Sequence, residues 1–131
     1  MPLGHLGINV SDLVAAQSYY DDLMPLLAYE PLLRAQDQFA YRPADGKVGT
    51  YLFFYPAETP GYSRTRPGLQ HLAFMVPTRA AVDRVHDWAI ARGAEILHPP
   101  QEFPQYPPPY YATFWLGPDD IMLEAVCHKN T

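Results

Sequence analysis

Large apolar residues alternate with small or polar ones in two short stretches, Gly4-His5-Leu6-Gly7-Ile8-Asn9-Val10 and Gln70-His71-Leu72-Ala73-Phe74-Met75-Val76. A period of two is the signature of a half-buried strand. Leu6, Ile8 and Val10 then face one side of the first strand, and His5, Gly7 and Asn9 the other. In the second, Leu72, Phe74 and Val76 oppose His71, Ala73 and Met75. The two stretches align under a shift of 66 residues, so both histidines occupy the same face of equivalent strands.

The period changes after each stretch. Leu13, Ala16, Tyr20 and Leu23 predict a helix over residues 12–24, with Ser11 as its N-cap and Pro25 at its end. Val82, Val85 and Ala89 predict a second over residues 79–92, with Thr78 as N-cap and Gly93 just past it. Three apolar stretches follow each helix: 31–36, 38–42 and 50–55, then 95–98, 110–116 and 121–127. Ala44-Asp45-Gly46-Lys47 and Gly117-Pro118-Asp119-Asp120 supply the turns. The order is strand, helix, three strands, twice over, which marks an internal repeat. The chain reads as one α+β domain over residues 1–131, with module one at 1–58, a linker at 59–67 and module two at 68–128. Each module has a sheet with its helix on one face and the other face bare, so two bare faces can meet or curve into a cup.

Composition narrows the function. At 131 residues and 48% hydrophobic content the chain can build a real core. A net charge of -5 and a pI near 5.4 lack the basic footprint of nucleic-acid binding. No apolar run is long enough to span a bilayer, the first residues do not read as a signal peptide, and the single Cys127 suits a reducing compartment. A cytoplasmic protein without membrane or nucleic-acid partners is expected. The chain has fifteen prolines and ten tyrosines, and six of the prolines and three of the tyrosines crowd into residues 98–111. Proline removes a backbone donor and fixes φ, so this stretch is expected to be neither helix nor central strand. It reads as a stiff loop of aromatic side chains, either a connector or the rim of a pocket.

Candidate chemistry centres on Glu124, a carboxylate inside Ile121-Met122-Leu123-Glu124-Ala125-Val126-Cys127. Such a group needs a partner, a hydrogen bond or a metal. Two histidines at equivalent places in a repeat, with one carboxylate, suit a single divalent ion (Fe, Mn, Zn, Ni or Co) and leave positions open for substrate and water. His86, on the second helix, and His128, near the terminus, read as surface residues.

These stretches, with Gly117-Pro118-Asp119-Asp120-Ile121-Met122-Leu123-Glu124, resemble the vicinal oxygen chelate superfamily, which includes glyoxalase I, extradiol dioxygenases and fosfomycin resistance proteins. The resemblance implies two tandem βαβββ modules forming a cup-shaped mixed sheet. It also implies metal ligands at His5, His71 and Glu124. By the same analogy Tyr110, Ala112 and Phe114 point into the cup. Tyr110 and Glu124 become the catalytic candidates, although Tyr110 also fits a plain aromatic wall. Asn9, Tyr110 and Phe114 become the substrate-binding candidates, and a homodimer is expected.

Departures from the family pattern sort the reactions. Glyoxalase I adds a ligand from the last strand of the first repeat, where this chain has Thr50-Tyr51-Leu52-Phe53-Phe54-Tyr55. Glu58 is in register with Glu124 under the 66-residue shift, but lies beyond Pro56 and reads as a surface acid before a fourth ligand. Extradiol enzymes use a tyrosine at the place of Phe114, and a histidine base near the place of Pro56, although His98 could approach from elsewhere. Fosfomycin chemistry needs cations, and none occurs between Gly93 and Val126. The reading is a metal-dependent, glyoxalase-like enzyme with lyase or isomerase chemistry on a small oxygen-bearing substrate. Its alternatives are a sequestering protein without turnover and an extradiol-type dioxygenase.

Overall fold

The computed structural model describes residues 3–131. Both alternating stretches form strands with the expected faces. In β1 (His5–Val10), Ile8 and Val10 are buried while His5, Gly7 and Asn9 are exposed. In β5 (Leu72–Met75), Leu72 and Phe74 are buried while Ala73 and Met75 are exposed.

The chain divides into two compact units, one ending at Gly61 and one beginning at Tyr62. Unit one holds β1, helix α1 (Leu13–Leu23), β2 (Tyr29–Arg34), β3 (Phe39–Pro43) and β4 (Tyr51–Pro56). Unit two holds β5, helix α2 (Arg79–Ala91), β6 (Ile96–Glu102), β7 (Tyr111–Leu116) and β8 (Met122–Cys127). The strand orders, β1-β4-β3-β2 and β5-β8-β7-β6, are the same order repeated. In each sheet the first and last strands pair in parallel and the hairpins are antiparallel. Two four-stranded mixed sheets, each with one α-helix, make this an α+β fold. No helix among the described residues is long and apolar enough to cross a membrane.

Local chemistry sets the helix ends. Asp12, not the expected Ser11, is the N-cap of α1: its backbone is extended and its Oδ1 accepts from the Ala15 N–H at 3.0 Å. Pro25 does not end the helical path, because a 3-10 turn at Met24–Leu27 carries it on past α1. Thr78 caps α2 through the Ala81 N–H at 3.1 Å. Gly93, at φ +75, closes it: Gly93 N–H donates to Ile90 and Ala94 N–H to Ala89. That pair of bonds is the Schellman arrangement, which favours glycine at the left-handed position.

Each helix covers one face of its sheet. In unit one, Tyr20, Phe39 and Phe54 are buried, with Phe54 stacked on Phe39 at 4.8 Å and tilted against Tyr20 at 4.5 Å between ring centroids. In unit two, Val82, Val85, Ala89, Trp115 and Leu123 are buried.

Two expectations are corrected here. The proline-rich stretch is not wholly a loop, since β6 runs through Pro99 and Pro100 to Glu102. The strand survives because it lies at the sheet edge, where a missing N–H costs no ladder bond, and because its pairing with β7 is bulged on both sides of His98. Nor is the second face of the unit-two sheet bare. Phe103, Ala112, Phe114, Met122 and Val126 form a packed apolar cluster there, with Leu97, Tyr110 and Leu116 against it. Residues 103–110 fold onto this cluster as a loop closed by the Phe103 N–H donating to the Tyr110 carbonyl at 3.0 Å.

Candidate functional site

Glu124 sits in β8 opposite Ala73 of β5 on one side and Phe114 of β7 on the other. His71 immediately precedes β5, two residues before Ala73, so its side chain leaves the same face as Glu124. Tyr110 immediately precedes β7 and reaches the carboxylate from the proline loop. These placements bring four of the sequence candidates together within unit two. His71 Nε2 lies 3.0 Å from Glu124 Oε1. The Tyr110 hydroxyl donates to Oε2 at 2.6 Å. The His71 and Phe114 ring centroids are 5.8 Å apart.

Glu124 has no exposed surface, whereas the His71 side chain keeps 34% of its own. The carboxylate is therefore presented from a dry strand to a half-open imidazole. Among the described residues no lysine or arginine forms an ion pair with it. A buried carboxylate without a cation is costly, and hydrogen bonds offset that only in part. The Tyr110 hydroxyl supplies one such bond. Burial, then its bond to Glu124 and the charge there, push the Tyr110 pKa above the ordinary phenol value, so the hydroxyl stays a donor well into the alkaline range.

The orientation of the imidazole bears on what the pair can hold. His71 Nδ1 is hydrogen-bonded to Gln70 Oε1, which accepts and cannot donate. Nδ1 therefore carries the proton, and Nε2 turns either a lone pair or a second proton toward the carboxylate. A lone pair facing a carboxylate repels it, so the gap between them suits a proton or a metal ion. An imidazole whose other nitrogen is fixed by an amide is also the usual outer-shell arrangement of a metal ligand. The two donors fit a divalent ion. Among the described residues no three His, Cys, Asp or Glu side chains gather around one point.

His5 and Asn9 belong to unit one. Both lie on the exposed face of β1, in register with Tyr51 and Tyr55 of β4, and the His5 ring meets Phe53 edge-on at 5.3 Å. The strand pairing also corrects the register of the repeat. Ala73 pairs with Glu124 and its equivalent Gly7 pairs with Phe53, so Phe53, not Glu58, is the counterpart of Glu124. The shift has grown from 66 to 71 residues between the first and last strands of the repeat, as loop 103–110 is longer than its equivalent, residues 35–38. Glu58 is exposed, beyond the end of β4. An aromatic ring occupies the position from which a fourth ligand would come.

Of three further neighbours of the site, Gln70 and Phe103 carried no role in the sequence reading, and His98 entered it only as a base approaching from elsewhere. Gln70 differs from Gly4 at the place before each histidine, and that asymmetry was its only signal. His98 meets Phe114 at 5.4 Å and Phe103 at 5.6 Å, both edge-on. Phe103 in turn meets Phe114 at 5.3 Å. Nothing in the pattern of β6 and its loop shows that these rings share one wall with Glu124, because bulges shift its register.

Comparison with known proteins agrees with this architecture. The model of the Glyoxalase/Bleomycin resistance protein/Dioxygenase superfamily matches residues 3–124. An uncharacterized protein of Bacillus subtilis, YqjT, is 28% identical over 126 residues, which covers 93% of this chain and 95% of that one. The crystal structure of a candidate glyoxalase from Bacillus halodurans superimposes with a TM-score of 0.79 and 30% identity, covering 95% of this chain and 94% of its own. A lactoylglutathione lyase from Agrobacterium tumefaciens, at 17% identity and a TM-score of 0.66 over 95% of this chain and 92% of its own, shares the fold.

Proposed function

Since this chain belongs to the Glyoxalase/Bleomycin resistance protein/Dioxygenase superfamily, we propose that it is a divalent-metal-dependent enzyme that acts on a small oxygen-bearing substrate by lyase or isomerase chemistry. The observation that carries the proposal is the fully buried Glu124, with Oε1 3.0 Å from His71 Nε2 and no basic side chain to balance it among the described residues. His71 and Glu124 would hold the ion, and the family resemblance adds His5 as a third ligand. When bound, such an ion would supply Lewis acidity to an oxygen of the substrate.

The side chains around it divide the remaining work. Gln70 fixes the tautomer of His71 and keeps Nε2 toward Glu124. Glu124 turns one oxygen to His71 and the other to Tyr110. The carboxylate and the phenol together form an acceptor–donor pair that can hold and pass a proton, which is what lyase and isomerase reactions beside a carbonyl require. Tyr110, kept neutral by its surroundings, is the donor nearest the carboxylate. Phe114 packs beside the pair and keeps water from it. A phenylalanine has no hydroxyl, which speaks for proton transfer over extradiol oxygenation.

The test has two readouts. Metal-free protein is titrated with Mn, Zn, Ni, Co and Fe(II), and deuterium uptake from solvent is followed in a panel of small 2-oxo and 2-hydroxy carbonyl compounds. Metal uptake by the wild-type protein is expected, with metal-dependent exchange that falls about 10²- to 10⁴-fold in Glu124→Gln. A protein that takes up none of these metals contradicts the proposal. Metal uptake without exchange on any compound would favour the second reading, a binding protein without turnover. The cavity of about 430 Å³ beside Tyr110 is the observation that favours that reading.

A further inference from the structure

The cavity beneath the proline loop lies wholly in unit two. Phe103, Pro104, Pro108, Pro109 and Tyr110 form its walls, and Glu102 and Asn130 stand among its lining residues. At about 430 Å³ it falls in the range of small-molecule pockets, and well above the roughly 150 Å³ that accepts a single benzene ring. Tyr110 belongs to two places at once. Its ring lines the cavity, while its hydroxyl donates to Glu124 Oε2 at 2.6 Å.

We propose that this cavity is a subsite for the flat, uncharged aryl end of a ligand whose oxygens lie toward Glu124, with Tyr110 as the wall common to both. The proposal extends the function above by naming the part of the ligand remote from its oxygens, and it rests on that reading only for the direction of those oxygens. Three features select the occupant. The walls are prolines and aromatic rings, rigid surfaces that lose little entropy on binding and offer faces and edges to another ring. Tyr106 extends them, with its ring 4.8 Å from that of Tyr110. The charge at the mouth is already balanced. Arg79 Nη2 donates to Glu102 Oε1 at 2.9 Å and to Asn130 Oδ1 at 3.3 Å, so neither a cation nor an anion finds an unanswered partner. The Asn130 amide nitrogen is left as one donor for a ring substituent.

Metal-free, isotope-labelled protein is titrated with 2-naphthol and followed by amide chemical shifts. Decahydro-2-naphthol, with the same carbon skeleton but no flat face, serves as control. Saturable shifts centred on Phe103, Tyr106, Tyr110 and Asn130 are expected, with the control binding roughly tenfold more weakly or worse. Asn130→Trp, which fills the mouth from an exposed position, is expected to weaken 2-naphthol by a similar factor. Shifts centred elsewhere, equal binding of the two alcohols, or an Asn130→Trp protein that binds as well as the wild type would each overturn the subsite. Because no metal is present, the result stands apart from metal uptake. A chain that binds 2-naphthol here but no metal loses the proposed function and keeps the subsite.

Discussion

At the scale of single residues, Glu124 is a carboxylate held out of water by β5 and β7 and answered by one imidazole and one phenol. Replacing it with glutamine keeps the shape and still accepts the Tyr110 hydroxyl, but brings no charge into the strand. Metal-free Glu124→Gln is therefore expected to match the wild type in urea denaturation to within about 1 kcal/mol. The wild type alone is expected to gain stability when metal is added. A second residue carries a pH prediction. Tyr41 is buried in unit one and its hydroxyl donates to Asp21 Oδ1 at 2.8 Å. Burial first, then that bond, raise its pKa above the ordinary value of 10.0. A raised pKa means the folded state holds the proton more tightly. Its contribution is fully present below pH 10 and fades as pH rises toward the folded-state value. The stability gap between wild type and Tyr41→Phe should stay constant from pH 7 to 9 and shrink above pH 10, as measured by urea denaturation across that range. His71 and Glu124 were legible in the chain because a repeated histidine and a carboxylate in an apolar strand both break a pattern. Gln70 was not, since a polar residue before an alternating strand breaks nothing.

At the scale of elements, the alternation in β1 and β5 and the stripes of α1 and α2 were readable, because period sets which face is buried. The errors fall where a local rule had two candidates. Ser11 and Asp12 are both good caps, and the choice went to the residue whose oxygen reaches the Ala15 N–H. Asp12→Ala is accordingly expected to cost about 1 kcal/mol in urea denaturation. A wild-type-like midpoint would return the cap to Ser11. The prolines of β6 misled for another reason. Their veto applies to a strand paired on both sides, and β6 is paired on one. Whether a strand lies at an edge is decided by topology, which a single stretch of sequence does not contain.

At the scale of the molecule, one βαβββ unit written twice explains the matching strand orders and the matched histidines. The copies have since diverged at the position that matters. Unit two presents Glu124 and unit one presents Phe53 at the same place in the pairing. A shift of 66 residues suggested Glu58, because a constant offset cannot register a loop that has lengthened midway. The ligand set proposed above, His71 and Glu124 with His5, accordingly has no carboxylate counterpart in unit one. The most direct test of that set is metal binding by calorimetry to the metal-free wild type and to His5→Ala, His71→Ala and Glu124→Gln. One divalent ion per chain is expected for the wild type, with affinity falling at least about a hundredfold in each variant and no gain or loss in Glu58→Gln. No binding by the wild type, or binding that survives Glu124→Gln undiminished, would contradict the metal centre.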